Sequence, residues 1–73
     1  MPKLIMYSIP GCGTCARARR EMIEEGIEFE ERDINTNPQW FAEAARIAVT
    51  VPIFVEGDRI EIGWRGDSGC LFQ

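Results

Sequence analysis

The sequence predicts an α/β domain in which strands and helices alternate and the last two strands form a hairpin. Three observations lead to this prediction: two stretches of helical periodicity, a strand-like run before each of them, and a polar turn between two short apolar runs nearer the C-terminus. The chain has 73 residues, of which 45 % are hydrophobic, so it can bury one modest core. We therefore expect residues 1–73 to form a single domain.

The first strand and the first helix follow each other closely. Residues 4–7 are a nearly continuous apolar run bounded by a Pro-Gly turn, which is typical of a central strand covered on both faces. A helix is predicted from residue 14 or 15 to about residue 25, and Gly26 supplies the left-handed residue that ends it. The residues predicted on its buried side are Ala18, Met22 and Ile23.

The second strand is predicted at residues 27–34 and is far more charged than the first. Charged side chains at most of its positions suit an edge of the sheet: Glu28, Glu30, Glu31, Arg32 and Asp33. Two strands that are joined by one helix form a parallel unit with a right-handed crossover. We therefore expect the second strand to lie parallel to the first.

Asn37 and Pro38 mark the start of a second helix. Asparagine is a good N-cap, and proline is well tolerated at the first helical position. The residues predicted to form the buried stripe of this helix are Phe41, Ala44, Ala45 and Ala48.

A hairpin is predicted after the second helix. Residues 49–55 are apolar apart from one threonine and are interrupted by Pro52, and residues 56–59 supply a turn into the short run at 60–62. The third and fourth strands are therefore predicted to be antiparallel to each other. Residues 63–73 contain three glycines and are predicted to form at most a helical turn, so the element order is βαβαββ.

Charge and cysteine content restrict the class of partner. Lys and Arg number 8 and Asp and Glu 12, and the resulting net charge of −4 argues against a nucleic-acid partner. Three cysteines are an odd number, unlike the disulfide framework of a secreted domain, and a reducing cytosol fits them better. The N-terminal apolar run is too short for a signal peptide or a membrane span. We expect a cytoplasmic protein without a membrane partner that acts on protein thiols or small molecules.

Cys12 and Cys15 stand where the first strand ends in a turn and the first helix starts. Thiols at positions i and i+3 of a first helical turn can close a small disulfide ring. The free N–H groups and the dipole of a helix N-terminus also favour a thiolate on the leading sulfur. Cys12 is therefore the candidate nucleophile, and Cys15 is the thiol that resolves the bond that Cys12 forms.

Three roles are open for this cysteine pair: a dithiol redox centre, half of a zinc or iron–sulfur site, or an inert pair. A closed zinc site normally needs four ligands, whereas this chain has no histidine and only Cys70 as a further thiol, although two chains could pool their cysteines. The order strand, turn, Cys-x-x-Cys, helix favours redox chemistry. Cys70 is interpreted as a spectator thiol or, alternatively, as a regulatory thiol open to glutathionylation or dimer formation.

The Cys-Gly-Thr-Cys turn and the Thr-Val-Pro segment before the third strand together resemble the glutaredoxins of the thioredoxin superfamily, and the resemblance covers nearly the whole chain. It implies a thioredoxin-like fold with a four-stranded mixed sheet; family members usually add a final helix, which the tail of this chain predicts to be short or absent. It also implies a cis bond before Pro52 and a backbone there that pairs with the bound thiol partner. The substrate- or glutathione-binding residues that the resemblance implies are Gly13, Thr14, Thr50, Val51, Pro52, Gly63, Trp64 and Asp67.

The chain departs from the glutaredoxin pattern at two places. Glutaredoxins commonly carry Pro-Tyr between the cysteines and a lysine shortly before the first, and this chain has Gly-Thr and no lysine there. Where the family has Gly-Gly-x-x-Asp for the γ-glutamyl end of glutathione, residues 63–67 read Gly-Trp-Arg-Gly-Asp, and the bulky indole of Trp64 is expected to weaken glutathione binding. This stretch resembles instead the NrdH-redoxins, which pass electrons from thioredoxin reductase to ribonucleotide reductase.

The resemblance implies a thiol–disulfide oxidoreductase that reduces protein or low-molecular-weight disulfides through a Cys12–Cys15 dithiol/disulfide cycle. We expect no bound cofactor or metal, and glutathione or a thioredoxin reductase as the electron donor. The expected partners are protein disulfides, including that of ribonucleotide reductase, and the expected state is a monomer. The alternative is an iron–sulfur cluster or metal carrier in which two chains hold the group through Cys12 at a dimer interface.

Overall fold

The structure is a computed structural model that describes residues 2–73. Its elements in chain order are β1 (Ile5–Ser8), α1 (Gly13–Glu24), β2 (Glu30–Asp33), α2 (Pro38–Ile47), β3 (Thr50–Val51), β4 (Ile53–Glu56), β5 (Arg59–Ile62) and β6 (Cys70–Leu71). Four strands form one sheet in the order β2-β1-β4-β5, and β3 and β6 form a separate two-stranded sheet. The predicted α/β fold with a four-stranded mixed sheet is confirmed.

Strand β1 is central, as predicted. It lies parallel to β2, with Tyr7 opposite Arg32, and antiparallel to β4, with Tyr7 opposite Ile53. Met6, Tyr7 and Ser8 are all buried, which agrees with a strand covered on both faces. The charged strand β2 occupies an edge of the sheet, also as predicted.

Strand β2 is shorter than the predicted residues 27–34, and the first of those residues, Ile27, still belongs to the C-terminal cap of α1. The N–H of Ile27 donates to the carbonyl of Met22, and the N–H of Gly26 donates to the carbonyl of Ile23, with Gly26 at φ 74°. These two hydrogen bonds form a Schellman motif, which uses backbone groups that a longer strand would have needed.

The prediction for the buried side of α1 is wrong at one residue. Ala18 and Met22 are buried, but Ile23 is 63 % exposed. The buried positions of this helix include Thr14 and Cys15, so the stripe lies one position around the helix from the one predicted.

Helix α2 starts as predicted. The side chain of Asn37 accepts hydrogen bonds from the N–H groups of Gln39 and Trp40, and Pro38 is the first helical residue. Ala44 is fully buried, whereas the rest of the predicted stripe is half-buried at the rim of the core: Phe41, Ala45 and Ala48.

The segment 49–55 is two strands rather than the single strand predicted. Pro52 has no N–H for a ladder, and it separates β3 from β4. The Val51–Pro52 bond is cis, as expected from the resemblance. Strands β4 and β5 form the predicted hairpin, with Ile53 opposite Ile62.

The C-terminal segment was predicted to form at most a helical turn, but it forms the short strand β6. Val51 of β3 lies opposite Cys70 of β6, and Thr50 lies opposite Leu71. The N–H of Phe72 continues the pairing by donating to the carbonyl of Val49 at 3.0 Å. No final helix is present in residues 63–73.

Two clusters of buried side chains form the core. The first cluster joins the two thiols at the start of α1 to the sheet and to α2: Tyr7, Cys12, Cys15, Ile34, Ala44, Val51 and Ile53. The second cluster joins α1 to the sheet: Met6, Ala18, Met22 and Phe54. Tyr7 and Met6 are neighbours in β1 and belong to different clusters, because successive side chains of a strand point to opposite faces. Across residues 2–73, none of the helices has the length and apolar character needed to cross a membrane.

Candidate active site

Cys12 is the N-cap residue of α1. Its backbone is extended, with φ −88° and ψ 111°, and its Sγ accepts a hydrogen bond from the N–H of Cys15 at 3.3 Å. The sulfur thus takes the place that a serine or aspartate oxygen holds in an ordinary N-cap. As a thiol, Cys12 also donates to the carbonyl of Val51 at 3.8 Å, and the residue is only 4 % exposed.

The environment of Cys12 lowers the pKa of its thiol. Burial acts to raise this pKa, because it penalises the charged form, but hydrogen bonds to the sulfur outweigh that effect. They come first from the thiols of Cys70 and Cys15 and then from the backbone N–H groups of Cys15 and Thr14. A lowered pKa favours the thiolate, which is the nucleophilic form of a cysteine side chain.

The environment of Cys15 has the opposite effect and raises the pKa of its thiol. The residue is wholly buried, and burial raises the pKa of its thiol strongly, with a further increase from its hydrogen bond to Cys12. When the two thiols together hold one proton, the favoured state has a Cys12 thiolate and a protonated Cys15. The lowered pKa belongs to Cys12, the predicted nucleophile, and the raised pKa to Cys15, the predicted resolving thiol.

The Thr50-Val51-Pro52 segment lies against Cys12, as the resemblance implied. Val51 and Pro52 are both buried, Thr50 is half-buried, and the Val51 carbonyl faces the Cys12 sulfur. The chain's own strand β6 pairs with β3 along Thr50 and Val51. A partner that pairs with this edge of β3 must therefore displace β6.

Asp67 connects the cysteine turn to the C-terminal segment. One carboxylate oxygen accepts from the hydroxyl of Thr14 at 2.8 Å, and the other accepts from the N–H of Gly69 at 3.0 Å. The hydrogen bond from Gly69, followed by the one from Thr14, holds the pKa of Asp67 below its usual range. Both carboxylate oxygens are thus engaged by the chain itself.

Residues 64–67 form a tight turn that positions Asp67. The N–H and carbonyl groups of Trp64 and Asp67 bond reciprocally at 2.8 Å, and Arg65 and Gly66 have positive φ angles of 43° and 87°. Two successive positive φ angles define a type I′ turn. Gly63 sits directly beneath this turn, where a Cβ atom would lie 2.4 Å from the Asp67 carbonyl oxygen.

Trp64 is not brought to the thiols. Its indole packs against Phe54 at a centroid distance of 5.4 Å, on the second cluster rather than the first. Its Nε1 donates to Glu21 at 2.9 Å, and the guanidinium of Arg65 lies 4.5 Å above the ring. The steric reason for weak glutathione binding therefore does not follow from the position of this indole.

Gly13 and Cys70 complete the surroundings of Cys12. Gly13 is the first residue of α1 and is exposed, with open space where a Cβ would lie. Cys70, which the sequence indicated chiefly as a spectator, packs against the cluster that contains Cys12, and the two thiols affect each other's pKa. No local signal could have revealed this, because it depends on the register between β3 and β6. Within residues 2–73, no group of three or more His, Cys, Asp or Glu side chains is arranged to hold a metal ion.

A mixed sheet with a paired-cysteine turn at the start of α1 and a cis proline facing it defines a protein of the thioredoxin superfamily. The family model described as Glutaredoxin matches residues 4–60. A curated glutaredoxin from Pseudomonas aeruginosa is 33 % identical over 72 residues, which are 96 % of this chain and 79 % of that protein. The chain therefore belongs to the glutaredoxin family.

A solved structure shows the same fold. The crystal structure of the glutaredoxin grx-1 from Archaeoglobus fulgidus superimposes with a TM-score of 0.72 over 89 % of this chain and 78 % of that one, at 24 % identity. Membership of the glutaredoxin family supports thiol–disulfide oxidoreduction as the general activity, with glutathione as the family's reductant.

Proposed function

We propose that this protein reduces protein and low-molecular-weight disulfides through a Cys12–Cys15 dithiol/disulfide cycle. The observation that carries the proposal is the Cys12 sulfur at the N-cap of α1, 3.3 Å from the N–H of Cys15. The pKa of this thiol is lowered while that of Cys15 is raised. Cys12 can therefore attack the substrate as a thiolate, while Cys15 stays protonated until the second step.

The reaction has two steps. The Cys12 thiolate attacks one sulfur of the substrate disulfide, so a mixed disulfide forms and the first substrate thiolate leaves. Cys15 then loses its proton to the departing thiolate or to water and attacks the Cys12 sulfur, which releases the second substrate thiolate. Two electrons pass to the substrate, and the protein is left with a Cys12–Cys15 disulfide.

A donor must then reduce this disulfide, and glutathione or a thioredoxin reductase is the donor that we propose. The glutaredoxin family supports glutathione, while the Gly-Trp-Arg-Gly-Asp stretch at residues 63–67 resembles proteins served by the reductase. Because of the same resemblance, we propose the disulfide of ribonucleotide reductase as a protein substrate to test. A monomer in a reducing cytoplasm is the setting that we propose for this cycle.

The test is reduction of a small disulfide and of a protein disulfide, with glutathione and with thioredoxin reductase assayed in parallel. We expect turnover with at least one donor and none for Cys12→Ser. The control is Ser68→Ala, a change at an exposed residue of the C-terminal segment, which should keep the wild-type rate. Absence of turnover with both donors, or full activity of Cys12→Ser, would contradict the proposal.

A further inference from the structure

Cys70 is the one cysteine that the proposed cycle leaves without a task, yet it lies in the same site. It belongs to the side chains that pack against the first cluster, which contains both Cys12 and Cys15. Its partner across the β3–β6 pair is Val51, and the Val51 carbonyl is 3.8 Å from the Cys12 sulfur. Paired residues in adjacent antiparallel strands have Cα atoms only about 4.5 to 5.5 Å apart, so the register brings Cys70 beside Cys12.

The pKa shifts of the two thiols agree with this proximity. The Cys12 sulfur is the first cause of a raised pKa at Cys70, and the backbone N–H groups of Thr14 and Gly13 act to lower it; the Cys70 thiol in turn acts to lower the pKa of Cys12. Cys70 therefore shares the N-terminus of α1 with Cys12. It is a member of a three-thiol cluster rather than an isolated cysteine.

Cys70 is also better exposed than Cys15. Cys15 of α1 is wholly buried, whereas Cys70 is half-buried on a strand of two residues. Ionisation costs a wholly buried thiol the full desolvation penalty, and it costs a half-buried thiol at a helix N-terminus less. The pKa of Cys70 is raised as well, first by the Cys12 sulfur and then by burial, but that of Cys15 is raised strongly by burial, so of the two thiols Cys70 more readily supplies a thiolate.

We infer that Cys70 is a third redox-active thiol, which attacks the Cys12 sulfur of a mixed disulfide and forms a Cys12–Cys70 disulfide. The inference rests on the proposed function, since it needs Cys12 to carry the substrate. In the step, the bond between Cys12 and the substrate sulfur breaks and the bond between Cys12 and Cys70 forms. The substrate thiolate leaves and takes up the proton that Cys70 gives up, so the two electrons come from Cys12 and Cys70. The same external thiol donor that reduces the Cys12–Cys15 disulfide then reduces this one.

Several contacts hold Cys70 in position for this attack. Asp67 accepts from the N–H of Gly69, the Phe72 ring meets Phe41 edge-on at 5.5 Å, and the Gln73 amide donates to backbone carbonyls at the end of α2. These contacts lie on both sides of Cys70 in the chain, so they keep its thiol near Cys12.

Peptide mapping of the unaltered protein tests the inference directly. Trypsin cleavage places Cys12 and Cys15 together in residues 4–17 and Cys70 in residues 66–73. The reduced protein is mixed with one equivalent of hydroxyethyl disulfide, quenched with acid, alkylated and digested. We expect a disulfide-linked pair of these two peptides in addition to the ring within residues 4–17. A digest that contains only the ring would overturn the inference.

A count of released thiols provides the second readout. Each attack by Cys12 releases one mercaptoethanol from the probe, and each resolution releases another. We expect Cys15→Ser to release both, because Cys70 resolves, and Cys15→Ser/Cys70→Ser to release one and to keep the probe on Cys12. If Cys15→Ser stops after one thiol, or if its second thiol comes from probe bound to Cys70, the inference is wrong.

These outcomes separate the inference from the function on which it rests. If wild-type protein releases no thiol from the probe, the proposed function itself fails. If wild-type protein releases both thiols but the linked peptides never form, the Cys12–Cys15 cycle stands and Cys70 is not redox-active. Circular dichroism and thermal melting of each variant show whether a lost reaction reflects a lost fold.

Discussion

Gly69 lies so close to Val51 that a Cβ atom at Gly69 would stand 2.0 Å from the Val51 carbonyl oxygen. The same carbonyl accepts the hydrogen bond of the Cys12 thiol. Gly69 also has a φ of +96°, which side chains rarely adopt. The absence of a side chain at Gly69 is therefore what lets the C-terminal segment lie on β3 and bring Cys70 to Cys12.

A substitution at Gly69 should detach this segment. In Gly69→Ala the backbone strain of roughly 1 to 2 kcal/mol is joined by a clash with the Val51 carbonyl, and the β3–β6 pair should open. We expect the yield of linked Cys12–Cys70 peptides to fall sharply after oxidation, while the ring between Cys12 and Cys15 still forms.

Gly66→Ala is the matched control for this change. Gly66 also has a positive φ, of +87°, but open space surrounds its Cβ position, so only the strain is added. This variant should keep most of the linked peptides. Equal yields from the two alanine variants would show that the contact between Gly69 and Val51 does not position Cys70.

The pKa of Cys12 should depend on Cys70. Neighbouring donors that stabilise the thiolate lower this pKa against the effect of burial, and the largest such effect comes from the Cys70 thiol. Cys70→Ala removes it, so the pKa of Cys12 should rise towards that of an ordinary thiol. The midpoint of the alkylation rate of Cys12 against pH measures the change. An unchanged midpoint would mean that the helix N-terminus alone activates the nucleophile.

Replacing Trp64 should affect stability more than glutathione use. The indole packs on Phe54 and bonds to Glu21, away from the thiols, so Trp64→Gly should leave the rate of glutathione-dependent reduction unchanged. The same variant should lose about 2 kcal/mol of unfolding free energy in urea, because a half-buried aromatic ring is removed. Trp64→Phe should recover much of that loss. A faster reaction with glutathione in Trp64→Gly would instead support the steric block that the sequence pattern indicated.

Glu31 should contribute to stability in a pH-dependent way. Hydrogen bonds from Arg19 at 2.5 and 2.6 Å, and a further one from Ser8, hold the pKa of Glu31 below its usual range despite its partial burial. A carboxylate with a lowered folded-state pKa stabilises the protein above its unfolded pKa of about 4.3 and loses this effect as the pH falls through the folded value.

The variant Glu31→Gln tests this pair. It should lower the free energy of unfolding by about 1 kcal/mol at neutral pH, and the difference from wild type should disappear in acid. Glu24→Gln, a change at an exposed glutamate of α1, should alter little. Urea unfolding at a series of pH values measures both variants, and a constant difference at every pH would rule out an electrostatic origin.

The sequence by itself determined the features that depend on neighbours along the chain. The start of α2 at Asn37 and Pro38 was predicted because a cap bonds to N–H groups two and three residues away. The placement of Cys12 and Cys15 at the start of α1 was predicted from the same local rules, and the charge of β2 indicated an edge. The hairpin between β4 and β5 followed from a polar turn between two short runs.

Only the tertiary structure decided what depends on pairing between distant segments. Whether Ile23 is buried depends on which side of α1 meets the sheet, and residues next to each other at the edge of an apolar stripe cannot be told apart by periodicity. The pairing of β6 with β3 brings together residues that no local signal connects, and it depends on the close approach of Gly69 to Val51. A two-residue strand has almost no pattern of its own, so its register is determined by the surface on which it lies. For that reason the sequence identified two of the thiols as a pair, and the fold placed Cys70 beside them.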